Sequence, residues 1–198
     1  MSKSARYILS LLLMIFLVSC GSVSPPVHYY RLQPLEQTPQ PDIVNVSIIG
    51  LGPFRVADYL KRSQIVTRVS DAEVKVDDFS RWSEPLDLAI HKVLATNIDH
   101  QLANTIVVAF PFLSGVDIDY FVVGQIDRFE ADHEGTVVLD IQWGLVDAER
   151  QLLVEPRRVR YQRRIEKGGE MEAIVVTMNQ ILQQLSLDIA NSFIAQTL

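Results

Sequence analysis

Residues 120–146 read YFVVGQIDRFEADHEGTVVLDIQWGLV, two apolar runs on either side of one short polar stretch. In the second run Val137, Leu139, Ile141, Trp143 and Leu145 occupy every other position, the two-residue period of a strand with one face buried. Segments 120–131 and 136–146 are therefore expected to pair as a hairpin about His133-Glu134-Gly135. Beyond the turn Ala148-Glu149-Arg150 a further strand is expected at 152–165. The period then changes. Met171, Val175, Met178, Leu182, Leu185, Ile189 and Phe193, with Ile174 and Ile181, fall on one face of a long helix that has no Gly or Pro from Glu170 onward.

Toward the N-terminus, 105–110 is β-branched and apolar and reads as a strand. Before it, Leu86, Ile90, Val93, Leu94, Ile98 and Leu102 are spaced for an amphipathic helix, with Ser83, Glu84 and Pro85 at its start. Segments 64–70 and 73–76 read as two short strands around Ser70-Asp71, and 27–32 as another. In 43–49, IVNVSII, alternation puts Val44, Val46 and Ile48 on one face, and Gly50, Gly52 and Pro53 are read as the end of that strand. The expected fold is α/β, an α+β sandwich: a mixed, largely antiparallel sheet packed against two main amphipathic helices in a single domain. Strand order is not readable from this pattern.

The chain has 198 residues, 48% hydrophobic and 21% charged, and carries a net charge of −6. This composition is globular, and the acidic balance excludes an overall nucleic-acid binder. One cysteine, Cys20, follows an apolar run at 7–18 that Lys3 and Arg6 precede. That run is about half the roughly 20 residues a helix needs to cross a bilayer, so it reads as a secretory signal. Its end, Leu17-Val18-Ser19-Cys20, resembles the bacterial lipobox, with Val18 where Ala or Ser is usual. The alternative is an ordinary secreted protein with an incidental cysteine. The lipobox implies signal-peptidase recognition of Leu17, Val18 and Ser19 and cleavage before Cys20. It also implies covalent diacylglycerol on the Cys20 sulfur and an N-acyl lipid on the new terminus, with no other cofactor. Each buried methylene contributes roughly 0.8 kcal/mol, and two or more chains hold firmly where one is marginal.

Cleavage would leave 179 residues with 16 Lys and Arg against 24 Asp and Glu, a net charge of −8. The expected organisation is a signal at 1–19, a tether at 20–26 and one domain at 27–198. About six residues at roughly 3.5 Å each reach only some 20 Å, which confines the domain to the neighbourhood of its membrane.

Signs of catalysis are sparse. His91 and His100 lie nine residues apart on one helix and face opposite ways, so they cannot chelate one metal. His28 and His133 have no Cys or His at zinc-like spacing, and all four are expected to be solvated or edge histidines. Gly50-Leu51-Gly52 lacks the third glycine and the following helix of a nucleotide-binding turn, and Ser114-Gly115 lacks the nucleophile elbow. Asp117 and Asp119 lack the rest of a calcium loop and read as a solvated acidic edge. In RRVRYQRRIEK, 157–167, an extended chain directs Arg158, Arg160, Gln162 and Arg164 to one face and Val159, Tyr161, Arg163 and Ile165 to the other. That stripe suits phospholipid phosphates or an acidic partner, or else a polar strand face paired with carboxylates.

Two further segments, Asp58-Tyr59-Leu60-Lys61-Arg62-Ser63-Gln64-Ile65-Val66-Thr67-Arg68 and Arg81-Trp82-Ser83-Glu84-Pro85-Leu86, stand between the lipobox and the helices. Together they make the chain similar to the ABC-type transport auxiliary lipoproteins, the PqiC/YmbA-like group, over essentially its whole mature length. Ser63 stands where that group has proline and Ser83 where it has alanine. The resemblance implies a non-enzymatic outer-membrane lipoprotein facing the periplasm. Its implied partners are a periplasm-spanning MCE-domain protein and an inner-membrane permease that move lipid between the membranes. A homo-oligomeric ring and a role in envelope integrity are also implied. Gly21, rather than aspartate, after the cysteine fits outer-membrane sorting. Tyr59, Arg62, Ile65, Val66, Trp82, Glu84 and Pro85 are then either architectural or partner-docking residues. A lipid shuttle that holds an acyl chain between helices and sheet is the alternative function, and it requires an apolar cavity of several hundred Å³.

Overall fold

A computed structural model describes residues 25–34, 47–166 and 170–197. Eight strands and two helices follow in chain order: β1 His28–Tyr30, β2 Ser47–Val56, β3 Gln64–Arg68, β4 Val74–Trp82, α1 Leu86–Asp99, β5 Thr105–Ala109, β6 Tyr120–Asp132, β7 Thr136–Asp147, β8 Leu152–Arg164 and α2 Met171–Thr197. A single 3₁₀ turn, Asp58–Leu60, links β2 to β3.

The β6–β7 hairpin is the spine of the sheet, paired from Tyr120 opposite Asp147 to Ala131 opposite Val137, and β8 continues antiparallel on β7. The other edge of β6 is shared: β2 runs parallel to its first half and β3 to its last two residues. Each of these carries an outer arm. Parallel β5 lies on β2, antiparallel β4 on β3, and parallel β1 on β4. The sheet is thus mixed, and its two longest ladders are antiparallel.

Both helices cover one face, α1 over β2 and β5 and α2 over β6, β7 and β8, and they touch each other. Every residue of the α2 stripe that was readable at helical spacing is buried except Met171, with Leu182 and Leu185 at its centre. From the sheet, Val122, Ile126, Phe129, Leu139, Ile141, Trp143 and Leu145 meet them. These alternate strictly until β6 slips register between Ile126 and Arg128. That bulge keeps Phe129 on the helix side and sends Arg128 and Glu130 to the other.

The β2 strand departs from expectation. It does not stop at Gly50 but runs through Gly50-Leu51-Gly52-Pro53 to Val56, with a bulge between Leu51 and Phe54. The glycines are there for proximity rather than for a turn. A Cβ on Gly50 would stand 3.0 Å from Phe112 and Phe121, and one on Gly52, at φ +108°, 2.8 Å from the His91 ring and the Phe110 Cβ. The buried face is also the other one, Ile49 and Leu51 rather than Ile48, while Val44 and Val46 lie outside the described residues. The β4 strand is nine residues long where 73–76 was expected, and a parallel partner, β1, satisfies the outer edge of its last three residues.

Candidate docking groove

The two family-like segments, with 12 residues between them in sequence, close around one groove of about 490 Å³ lined by 61–63 and 82–87. The 3₁₀ turn presents its first wall, with Lys61 Nζ on Asp58 Oδ1 at 2.8 Å and Arg62 N on Leu60 O at 2.9 Å. The end of β4 presents the second. Trp82 N donates to Ser63 O at 2.6 Å, which ties the walls together, and Ser83 N donates to Tyr30 O at 2.8 Å, which ties both to β1. Pro85 then caps α1 with φ −53° and ψ 130°, its carbonyl accepting from Ala89 N, as suits a residue whose φ is preset and whose N–H is missing.

Within this frame the motif residues divide. Ile65, Val66 and Trp82 are buried, and Tyr59 is half-buried. They hold the walls. Arg62 and Pro85 are exposed and Glu84 partly so, with Glu84 ion-paired to Lys92 of the first α1 turns. The opening therefore shows a cation, a carboxylate and a proline over the edge of a buried indole, a combination suited to a polypeptide surface.

Tyr59 has a partner that sequence reasoning missed. Its Oη donates to Glu130 Oε2 at 2.7 Å, and Glu130, 1% exposed, also accepts from Arg68 Nε at 2.7 Å, Arg128 Nε at 2.8 Å and Phe129 N at 3.1 Å. Burial and then the adjacent carboxylate push the Tyr59 phenol well above the usual tyrosine range. A glutamate inside the apolar alternation of β6 was the available signal, and Arg68 closes the first motif segment.

His91 corrects the expectation of solvated or edge histidines. It is buried, and its Nε2 accepts from Phe54 N at 2.8 Å, which supplies the bulged part of β2 with a hydrogen-bond partner. Burial holds its imidazole below the ordinary value, against the opposing pull of Asp87 one turn earlier. Asp119 does more than edge the surface, since its Oδ2 accepts from Ile48 N at 2.7 Å at the start of β2. Among the described residues no group of three His, Cys, Asp or Glu side chains is placed to hold a metal. Nor is any described helix long and apolar enough to cross a membrane.

The arginine stripe lies on the sheet face away from the helices. Arg160 forms a two-point pair with Asp140 of β7, Nε to Oδ1 at 2.6 Å and Nη2 to Oδ2 at 2.8 Å, so this member is satisfied within the sheet. Arg158 stands opposite Gln142 and Arg164 opposite Thr136, both exposed. Tyr161, on the helix side, donates to Asp188 of α2 at 2.7 Å. Leu17, Val18, Ser19 and Cys20 lie outside the described residues.

Comparison with known proteins matches this frame. Among curated proteins none matches the sequence. The crystal structure of an uncharacterized protein superposes with a TM-score of 0.71 at 24% identity, over 85% of this chain and 99% of that one. The crystal structure of protein XCC0632 from Xanthomonas campestris does so with a TM-score of 0.64 at 17% identity, over 83% of this chain and 93% of that one. At these identities both show the fold alone. The family model described as the ABC-type transport auxiliary lipoprotein component matches residues 30–190, a span that takes in both motif segments, the groove and Glu130. The chain belongs to that family of transport auxiliary lipoproteins.

Proposed function

We propose that this chain is a non-enzymatic lipoprotein subunit of an intermembrane lipid transport system. It is anchored through an acylated Cys20 in the outer membrane and docks a periplasm-spanning MCE-domain protein. The inner-membrane permease is the other implied component, a ring of copies the implied assembly, and envelope integrity the implied outcome. The observation that carries the docking role is the convergence of Arg62, Trp82, Glu84 and Pro85 on one groove beside β1, the strand that leads back to the tether. Tryptophan and arginine concentrate binding energy at interfaces, and a groove tied by backbone hydrogen bonds loses little freedom on binding. Exposed Arg158 and Arg164 offer a second, basic surface to phosphate or an acidic partner.

The lipid-shuttle alternative gains nothing from the interlayer space, where Leu94, Ile98, Trp143, Leu182 and Leu185 are packed and fully buried. Affinity capture from detergent extracts tests the proposal. The native chain is expected to bring down an MCE-domain protein, and an Arg62→Glu, Glu84→Lys double variant with unchanged thermal unfolding to lose it. Equal capture by both would remove the groove from the interface. A partnerless monomer across several detergents would overturn the transport role.

A further inference from the structure

The exposed apolar side chains of the β1–β4 edge stand where the tether joins the fold. The first paired residues of that edge are His28 and Ser80. Immediately before them come Val27, 39% exposed, just ahead of β1, and Phe79, 40% exposed, on β4, and Tyr29, 66% exposed, follows on β1. Phe79 is held outward by a built feature. Between the pairs Gln64–Arg81 and Val66–Val76, β4 has extra residues, and Asp77 Oδ1 accepts from both Phe79 N at 2.9 Å and Ser80 N at 2.7 Å. The carboxylate fixes a bulge in which the Phe79 ring stands exposed beside Asp78.

An aromatic ring kept in water forfeits roughly 25 cal/mol for each Å² that burial would cover. A bulge that makes that exposure permanent has a use only if something apolar meets it. From the attachment reading above, on which this inference rests, Cys20 lies seven residues before Val27, within about 25 Å of it even when fully extended. We propose that the β1–β4 edge is the membrane-contacting face of the domain, with Phe79 and Val27 entering the boundary between headgroups and acyl chains. Tyr29 lies at headgroup level, where an amphipathic ring is best placed. The lipid anchor then sets distance, and the edge sets orientation, bringing the groove at Trp82 to a fixed height above the bilayer.

Exposure alone would choose differently. Leu113 is 80% exposed, but it follows β5, which is reached from β1 only through β4, β3, β6 and β2. It therefore serves as the control. Acylation consumes the one native thiol, so Phe79→Cys, Tyr29→Cys and Leu113→Cys in the full chain each accept a single nitroxide label. The labelled chains are placed on vesicles of phosphatidylethanolamine and phosphatidylglycerol. Collision with oxygen relative to a water-soluble nickel chelate is then measured. The ratio is expected to be severalfold higher at position 79 than at 113, with position 29 between them. Equal ratios, or a higher one at 113, in protein that carries acyl mass and floats with the vesicles would overturn the orientation and leave the anchor intact. Protein without acyl mass that stays soluble would overturn the anchor, and this inference with it.

Discussion

The Tyr59 hydroxyl and the Glu130 carboxylate meet at 2.7 Å, joining the 3₁₀ turn under the groove to the turn end of the β6–β7 hairpin. Arg68 from β3 and Arg128 from β6 itself close on the same carboxylate. Glu130→Ala would leave two guanidinium groups partly buried without their anion, and is expected to destabilise the fold by about 3–5 kcal/mol. Tyr59→Phe removes one hydrogen bond to a charged group and is expected to cost about 1–3 kcal/mol. Urea unfolding of the two variants measures both. A Glu130→Ala chain as stable as Tyr59→Phe would contradict this arrangement.

Stability is expected to depend on His91 in mild acid. The ring accepts from Phe54 N, and a protonated Nε2 would oppose that donor with a second one. Its folded pKa lies below the ordinary value near 6.5, so the unfolded chain takes up the proton first. The contribution is complete above about pH 6.5 and is lost as pH falls from there through the lower folded value. His91→Gln keeps an acceptor that does not titrate in this range. Its thermal midpoint should fall less than that of the native chain between pH 7 and 5.

Glycine positions separate crowding from backbone strain. Gly52 and Gly135 both have positive φ, +108° and +79°, but a Cβ at Gly52 meets His91 and Phe110 at 2.8 Å while one at Gly135 meets nothing within 4 Å. Gly135→Ala is expected to cost about 1 kcal/mol, the conformational part alone. Gly52→Ala should exceed the roughly 1–3 kcal/mol of a strained residue because it also displaces two rings. Equal losses in parallel denaturant titrations would show that β2 does not pass beneath His91.

The groove residues should separate by role. Trp82→Ala empties a buried site and is expected to cost about 3–5 kcal/mol. Arg62→Ala, on the exposed wall, should stay within about 0.5 kcal/mol of native stability and lower partner capture. Melting curves and pull-downs on the same preparations give both readouts.

Periodicity made the hairpin at 120–146 legible, along with the buried stripe of α2 and the start of α1 at Pro85, because alternation and helical spacing record which face of one segment is buried. The same local rules misread Gly50-Leu51-Gly52-Pro53, whose role is to let Phe112, Phe121, Phe110 and His91 approach β2 from elsewhere in the chain. They also placed His91 in solvent, since its partner, Phe54 N, is 37 residues away. The two motif segments identified the family, but nothing in either one says that they share a groove.

By itself, then, the sequence determined where most strands and both helices lie, which faces the β6–β7 hairpin and the helices bury, and that a family motif frames the first helix. Only the tertiary structure decided the strand order, the burial of Glu130 among two arginines and a tyrosine, and the exposure of Phe79 at the β1–β4 edge. The reason is physical: side-chain period is a property of neighbours along the chain, whereas a buried charge, a groove or a close backbone approach is made by residues that only folding brings together.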